Sequence, residues 1–278
     1  LIDWHINKGT NGIVSVGTTG ESATVNIKEH LEVISHTVKY VNSRIPVIAG
    51  TGANSTSEAI ELTKESKHMG ADFSLLVTPY YNKPNQNGLI QHYTRIADEV
   101  DLPQILYNVP SRTACDLEPS SVKILSEHKN IVGIKEALDS SERFSELIKI
   151  SQSIADQKNF SVFSGDDPTF NSFMANGGDG VISVAANVVP SYISKICSLN
   201  LSHQFDEAKD LNSTLENLYE LLFVESNPIP VKWMLNKMKR IQSGIRLPLV
   251  PYNAVSYTHL RAHETEADLV CRRRREKK

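Results

Sequence analysis

Asn130-Ile131-Val132-Gly133-Ile134-Lys135-Glu136-Ala137 is the stretch whose reading decides the fold. Ile131 to Ile134 run without polar interruption, as a parallel strand buried on both faces does. Lys135 and Glu136 then close the run. Taking an ammonium out of water disfavours its charged form. A lysine at the carboxyl end of a buried strand is therefore a candidate nucleophilic amine for a carbonyl substrate. The plain alternative is a surface lysine beside a glutamate, and this stretch alone does not separate the two.

Outward from it the same unit repeats. The pattern predicts strands at Ile13–Gly17, Pro46–Gly50, Phe73–Thr78, Gln104–Asn108, Ile131–Lys135, Phe160–Ser164 and Gly180–Ala185. A helical pattern follows each: Ile27–Val41, Ser57–Met69, Ile90–Glu99, Pro119–Glu127, Ser141–Ile154, Pro168–Ala175 and Pro190–Leu199. Alternation of this kind implies an α/β fold with parallel strands joined by right-handed crossovers. An open doubly wound sheet would carry Gly-x-Gly-x-x-Gly after its first strand, and none is present. A closed (β/α)8 TIM barrel is the preferred architecture.

Leu1–Gly9 reads as the last turns of a helix closed by a glycine. The expectation is a barrel truncated at its N-terminus, with its first strand missing and this helix the first to remain. Further helical stretches at Phe205–Phe223 and Pro230–Lys239 predict extra C-terminal helices. The expected organisation is a barrel lacking one strand over residues 1–200, a helical segment over 201–254, and a tail over 255–278 of different composition. That tail holds 7 Lys/Arg against 4 Asp/Glu and ends in a charge run. It is expected to be non-native and solvated. His259 and His263 stand four apart beside Glu264 but lack a third ligand at sensible spacing, so no metal site is expected.

Composition narrows the function classes. Residues 1–254 carry a net charge of −6 within the chain's −3, which gives no support to nucleic-acid binding. No segment approaches the roughly 18 uninterrupted apolar residues of a membrane span, and Leu1 opens without the basic region and apolar run of a signal peptide. Cys115, Cys197 and Cys271 show neither disulfide nor metal spacing, which fits a reducing cytoplasm.

In a β/α barrel the reactive groups lie at the carboxyl ends of the strands. Here those ends read Thr18-Thr19-Gly20-Glu21-Ser22, Pro79-Tyr80-Tyr81-Asn82, Tyr107-Asn108-Val109-Pro110-Ser111-Arg112-Thr113, Lys135-Glu136, Ser164-Gly165-Asp166-Asp167, and Ser183 through Asn187. Hydroxyls, one arginine and one lysine converge on one face. Thr18-Thr19-Gly20 is either a plain strand-to-helix turn or a set of backbone N–H groups offered to a carboxylate. Tyr107 is either a strand aromatic or a proton shuttle beside the lysine. Asp166 and Asp167 before Pro168 read as an N-cap with proline at the first helical position. They would also repel a phosphate, which favours an unphosphorylated carbonyl acid as substrate. No P-loop or dinucleotide fingerprint competes.

Taken together, Val16-Gly17-Thr18-Thr19-Gly20-Glu21-Ser22, Tyr107-Asn108-Val109-Pro110-Ser111-Arg112-Thr113 and Gly133-Ile134-Lys135-Glu136 resemble the dihydrodipicolinate synthase family of class I pyruvate-dependent aldolases. Val47-Ile48-Ala49-Gly50-Thr51-Gly52 and Gly180-Val181-Ile182-Ser183-Val184 add to the resemblance, which covers residues 1–254. It implies a lyase of lysine and diaminopimelate biosynthesis that condenses pyruvate with L-aspartate 4-semialdehyde, without a metal or other cofactor, as a cytoplasmic homotetramer built as a dimer of dimers. It implies that Lys135 forms a Schiff base with pyruvate, that Tyr107 passes protons to and from the adduct, and that Thr18 links Tyr107 to Tyr81 of a neighbouring subunit. Thr19 would hold the pyruvate carboxylate, the Ile182 carbonyl would face the site, and Arg112 would bind the aldehyde's carboxylate. The positions matching the family's lysine-inhibition site are Ser22, Ala23, His30, Asn54, Glu58 and Tyr80, while Ile27 departs from that pattern. Sister aldolases, N-acetylneuraminate lyase and the 2-keto-3-deoxy sugar acid aldolases, share the barrel and the lysine. Arg112 between Ser111 and Thr113, with the Tyr80-Tyr81 pair, favours the synthase. An inactive fragment of the synthase and a non-catalytic barrel are the remaining alternatives.

Overall fold

A computed structural model describes residues 1–252 of the chain. Seven strands pair in sequence order, all parallel: β1 (Ile13–Ser15), β2 (Val47–Gly50), β3 (Phe73–Val77), β4 (Gln104–Asn108), β5 (Ile131–Glu136), β6 (Ser161–Ser164) and β7 (Gly180–Val181). The helices are α1 (Ile2–Ile6), α2 (Ile27–Val41), α3 (Thr56–His68), α4 (Gln86–Glu99), α5 (Pro110–Thr113), α6 (Pro119–Ser126), α7 (Ser141–Ser153), α8 (Phe170–Ala175), α9 (Pro190–Leu201), α10 (Phe205–Ser213), α11 (Glu216–Leu221) and α12 (Ile229–Lys237). The expected β/α alternation is present, and the fold is of the (β/α)8-barrel type, with β1 and β7 at the edges of the described sheet.

Alternation along each strand splits the apolar residues into two layers. On β4, Ile105 and Tyr107 join an inner cluster with Leu75, Val132 and Phe163. Leu106, one residue away, packs outward with Ile134, Leu89, Ile96, Leu125 and Leu147 against the helices. The outer face is covered by helices, while on the inner face Ile48, Phe73, Val77, Val132 and Phe163 are half-buried around the barrel interior. Apolar residues on both faces are why the strands read as apolar runs.

Helix starts follow local chemistry. Asn26 accepts from Glu29 N at 3.0 Å, and its own amide donates to the Glu29 carboxylate at 2.7 Å, a reciprocal cap on α2. Asn85 caps α4 and Ser140 caps α7 by accepting from the Gly88 and Arg143 N–H groups.

Several boundaries differ from expectation, among them α4, which begins at Gln86 rather than Ile90, and β5, which ends at Glu136 rather than Lys135; four show their cause. β1 ends at Ser15, not Gly17, because Val16 turns into the left-handed region at φ +57. β7 ends at Val181 because Asp167 Oδ2 captures the N–H groups of Val184 and Ala185, at 3.0 and 2.8 Å, and turns the chain out of the sheet. The stretch Phe205–Phe223 is two helices. Ser213 and Thr214 hydroxyls donate back to the Asp210 and Leu211 carbonyls at 2.8 and 2.7 Å and compete with the ladder at the break. Asp166 and Asp167 do not cap a helix that begins at Pro168, since α8 begins at Phe170. Asp166 instead accepts from the Thr169 N–H and hydroxyl at 3.1 and 2.6 Å. Residues 253–278, including the expected tail, Cys271 and the pair His259 and His263, lie outside the described residues.

Candidate active site

β4 and β5 place the two central side chains. Tyr107 and Lys135 are register partners, so both point into the barrel from adjacent strands. Lys135 Nζ lies 4.2 Å from the centre of the Tyr107 ring. Lys135 is 9 % exposed and Tyr107 6 %. An open cavity of about 1850 Å³ runs along the inner face, and its lining includes Thr18, Thr19, Tyr107, Arg112, Lys135 and Ile182.

Gly165, at the end of β6, makes room for the lysine. A Cβ there would lie 2.8 Å from Lys135 Cε and 2.9 Å from Ala137 Cβ. The Gly165 N–H donates to the Glu136 carbonyl at 2.6 Å and joins the two strand ends. Sequence reasoning named this glycine only as part of a loop, although a glycine one residue past a barrel strand is itself the available signal.

Glu136 points the other way, out of the cavity, and is fully buried. Asn108 Nδ2 donates to its two oxygens at 3.2 and 3.0 Å, and the Leu138 N–H donates to Oε1 at 2.8 Å. Burial pushes the Glu136 carboxyl up to about 7; the bonds from Asn108 and Leu138 and the charge of Arg143 oppose that rise, and Asp116 adds to it. Asn108 Nδ2 also reaches Asp116 Oδ1 at 2.8 Å, and Asn108 Oδ1 accepts from Leu117 N at 3.0 Å. Arg143 donates to Asp116 Oδ2 at 2.6 Å and to the Leu117 carbonyl at 3.0 Å. This buried cluster behind the strand ends pins the far end of the loop that carries α5 and Arg112. Arg112 itself is exposed at the cavity and has no ion-pair partner among the described residues.

Thr18 and Thr19 sit in one turn of 3-10 helix, Thr18–Gly20, flanked by left-handed Val16 and Glu21, at φ +57 and +60. Gly50 on β2 lets the Val16 carbonyl come close, since a Cβ at Gly50 would lie 2.2 Å from that oxygen. Asn227 Nδ2 donates to Thr19 Oγ1 at 3.0 Å, the Arg246 N–H donates to Glu21 Oε1 at 2.7 Å, and Lys232 Nζ pairs with Glu21 Oε2. None of these C-terminal partners was found from sequence. Ile182 lies in the loop just past β7, with its N–H on the Ser164 carbonyl at 2.9 Å.

Tyr81 is not brought to the lysine within the chain. It is 89 % exposed, in the left-handed region at φ +71, and outside the cavity lining. Of the six candidate regulatory positions, Glu58 lies within electrostatic reach of both His30 and Tyr80. His30 is buried, with Nε2 2.7 Å from the Gly50 carbonyl. Burial lowers the imidazole's pKa and raises the Tyr80 phenol's, and the Glu58 carboxylate shifts both upward. The Asn54 carbonyl accepts from Asn82 Nδ2 at 2.9 Å, while Ser22 and Ala23 open the short turn Ser22–Thr24. Among the described residues no group of three or more His, Cys, Asp or Glu could hold a metal ion, and no helix is long and apolar enough to cross a membrane.

Comparison with known proteins gives consistent matches. The model of the dihydrodipicolinate synthetase family matches residues 1–267. The 4-hydroxy-tetrahydrodipicolinate synthase of Teredinibacter turnerae is 55 % identical over 262 residues, 94 % of this chain and 88 % of that protein. The crystal structure of the chloride-inhibited dihydrodipicolinate synthase from Acinetobacter baumannii, complexed with pyruvate, superposes with a TM-score of 0.91 at 50 % identity, over 96 % of this chain and 90 % of that one. That of the enzyme from Cyanidioschyzon merolae with lysine bound gives 0.88 at 36 % identity, over 96 % and 90 %.

Proposed function

The chain belongs to the dihydrodipicolinate synthetase family, and on that premise we propose that it is a lyase of the class I aldolase type acting through Lys135. It condenses pyruvate with L-aspartate 4-semialdehyde, the 4-hydroxy-tetrahydrodipicolinate synthase reaction of lysine and diaminopimelate biosynthesis. The observation that carries the site assignment is the Tyr107–Lys135 register pair, with the amine 4.2 Å from the ring at the mouth of the barrel.

The Lys135 amine attacks the keto carbon of pyruvate and water leaves, forming an iminium that acts as an electron sink. The methyl group then loses a proton, the resulting enamine carbon attacks the aldehyde, and the second substrate's amino group attacks the regenerated iminium carbon, closing the ring and releasing the Lys135 amine. Tyr107, whose ring lies beside the amine, carries these protons. Thr19 and the backbone of its turn bind the pyruvate carboxylate, Thr18 relays to Tyr107, and the Ile182 carbonyl borders the adduct. Arg112, exposed at the cavity, suits the carboxylate of the second substrate through its forked donors. The side chain of Tyr81, projecting into solvent, is supplied to a neighbouring subunit's Thr18 in a homotetramer. The chemistry needs only the lysine amine and is placed in the cytoplasm. Lysine inhibition would act through Ser22, Ala23, His30, Asn54, Glu58 and Tyr80, and the electrostatic reach of Glu58 to both His30 and Tyr80 supports a site there.

The test is borohydride reduction in the presence of pyruvate, followed by peptide mass mapping. An adduct on Lys135 is expected, and its absence from folded protein would sink the Schiff-base assignment. Offering L-aspartate 4-semialdehyde and N-acetylmannosamine in parallel separates the synthase from its sister lyase. Faster turnover of the sugar would overturn the substrate assignment.

A further inference from the structure

The turn that carries Thr18 and Thr19 is held from residues 208 and 211 positions away in the chain. Its own backbone does not favour its shape. Val16 and Glu21, neither of them glycine, both occupy the left-handed region, and such residues persist only where surrounding structure over-determines them. On the sheet side Gly50 supplies the close approach. On the other side the support comes from the loop before α12, from α12 itself and from the segment after it.

Three contacts make that support. Asn227, buried at 5 % exposure, donates to the Thr19 hydroxyl. Lys232, in the first turns of α12, holds one oxygen of Glu21, and the Arg246 N–H holds the other. The pair is sheltered, with the Glu21 side chain 10 % exposed and that of Lys232 24 %, so water screens it less than a surface ion pair. Burial alone would raise the Glu21 carboxyl, but the bonds from Lys232 and Arg246 outweigh it and keep the group below its ordinary value. Glu21 is thus an anion across neutral pH.

We propose that Glu21, Lys232 and Asn227 are positioning residues for the turn that binds the substrate's carboxylate, so that the C-terminal helices set the barrel's affinity for its keto acid. The proposal rests on the assignment of Thr19 and its turn to the pyruvate carboxylate. It gives the helices beyond the barrel a role in binding rather than in packing alone. It also makes the effect selective, because the loop that carries Arg112, assigned to the second substrate, is tied down separately at Leu117 by Asn108 and Arg143.

The test uses the full chain, with wild type, Lys232→Met, Glu21→Gln, the double variant, and Lys232→Arg. Two quantities are read: the pyruvate concentration giving half-maximal borohydride trapping on Lys135, and the separate KM values for the two substrates. Lys232→Met and Glu21→Gln are each expected to raise the half-trapping concentration and KM for pyruvate about tenfold, the scale of a lost charge-assisted hydrogen bond. KM for the aldehyde stays within about twofold of wild type. The double variant is no worse than either single one, because the two act as one unit, and Lys232→Arg recovers most of the affinity. An unchanged half-trapping concentration in a folded Lys232→Met with a lowered melting temperature would overturn the proposal in favour of a purely structural anchor. Equal rises in both KM values would overturn it too. If Lys232→Met does not fold, Glu21→Gln, which keeps volume and one acceptor, decides by the same measurement. A wild type that traps no pyruvate defeats the functional reading and this proposal with it; a wild type that traps, with variants that match it, defeats this proposal alone.

Discussion

Glu136 is a fully buried carboxyl one residue from the proposed nucleophile, and it should leave a measurable mark on stability. Its pKa is pushed from the ordinary 4.5 to about 7 by burial. As pH rises past 4.5 the unfolded chain releases this proton while the folded protein keeps it until about pH 7. Over that window the folded state binds more protons, so stability falls with rising pH. Below 4.5 the penalty is absent, and above 7 it is complete and constant. At about 1.4 kcal/mol per pH unit, the full penalty is on the order of 3 kcal/mol. Glu136→Gln keeps the shape, retains an acceptor for Leu138 N, and removes the titration. Thermal melts of the two proteins between pH 5 and 8 should therefore diverge. The variant should gain about 2 to 3 kcal/mol on wild type across the range, or roughly 4–12 °C for a chain of this size. The other carboxyls are common to both proteins and largely cancel in the difference. Melting curves that stay parallel from pH 5 to 8 would refute the reasoning, because Glu136 would then be ionised in both states throughout.

Gly165→Ala puts a Cβ 2.8 Å from Lys135 Cε; displacing the amine by about 1 Å should lower kcat/KM roughly a hundredfold, and full activity would show that the side chain has room to spare. Tyr107→Phe removes the phenol but keeps the ring beneath the ammonium, so borohydride trapping on Lys135 should persist at equilibrium while kcat falls by about 10²–10⁴; an unchanged kcat would remove Tyr107 from proton transfer. Gly133→Ala would place its Cβ 2.6 Å from the Ser161 carbonyl oxygen, where the obstacle is backbone. A loss of about 1–3 kcal/mol or more is expected in denaturant unfolding, and a neutral result would mean that β5 and β6 can separate without cost.

What the sequence made legible was the part governed by near neighbours. α2 runs from Ile27 to Val41 as expected, because Asn26 caps it and its apolar residues recur at helical spacing. β4 was bounded correctly for a similar reason, a short apolar run between Pro103 and Pro110. The candidate site residues could be picked out because a barrel gathers its strand ends on one face, so reading those ends in order is already reading a candidate site. The rest depended on contacts far apart in the chain. Asp167 ends β7 from 17 residues away. The Thr19 turn is fixed by Asn227, and no local periodicity announces that partner. Tyr81 is exposed and lies outside the cavity lining of its own chain, so only the family pattern could mark it.

One long-range feature decides whether there is a site at all. The pairing of β4 with β5 begins as Gln104 with Ile131 but continues as Ile105 with Gly133, so β5 carries one extra residue, Val132. A bulge of this kind is uncommon between parallel strands and is characteristic of functional edges. Without it Ile134 would stand beside Tyr107, and Lys135 would stand beside Asn108 on the helix-facing side of the sheet. There the ammonium would enter the buried cluster of Asn108, Asp116 and Arg143 behind the strand ends, and Glu136 would turn into the cavity instead. A shift of one residue exchanges the two faces of a strand. The run Ile131-Val132-Gly133-Ile134 reads as a plain buried strand in either register, so the sequence shows that Lys135 ends a strand but not which way it faces. The extra residue selects the facing, and at that point Gly133, with no side chain, also lets β5 lie close to the Ser161 carbonyl on the β6 side.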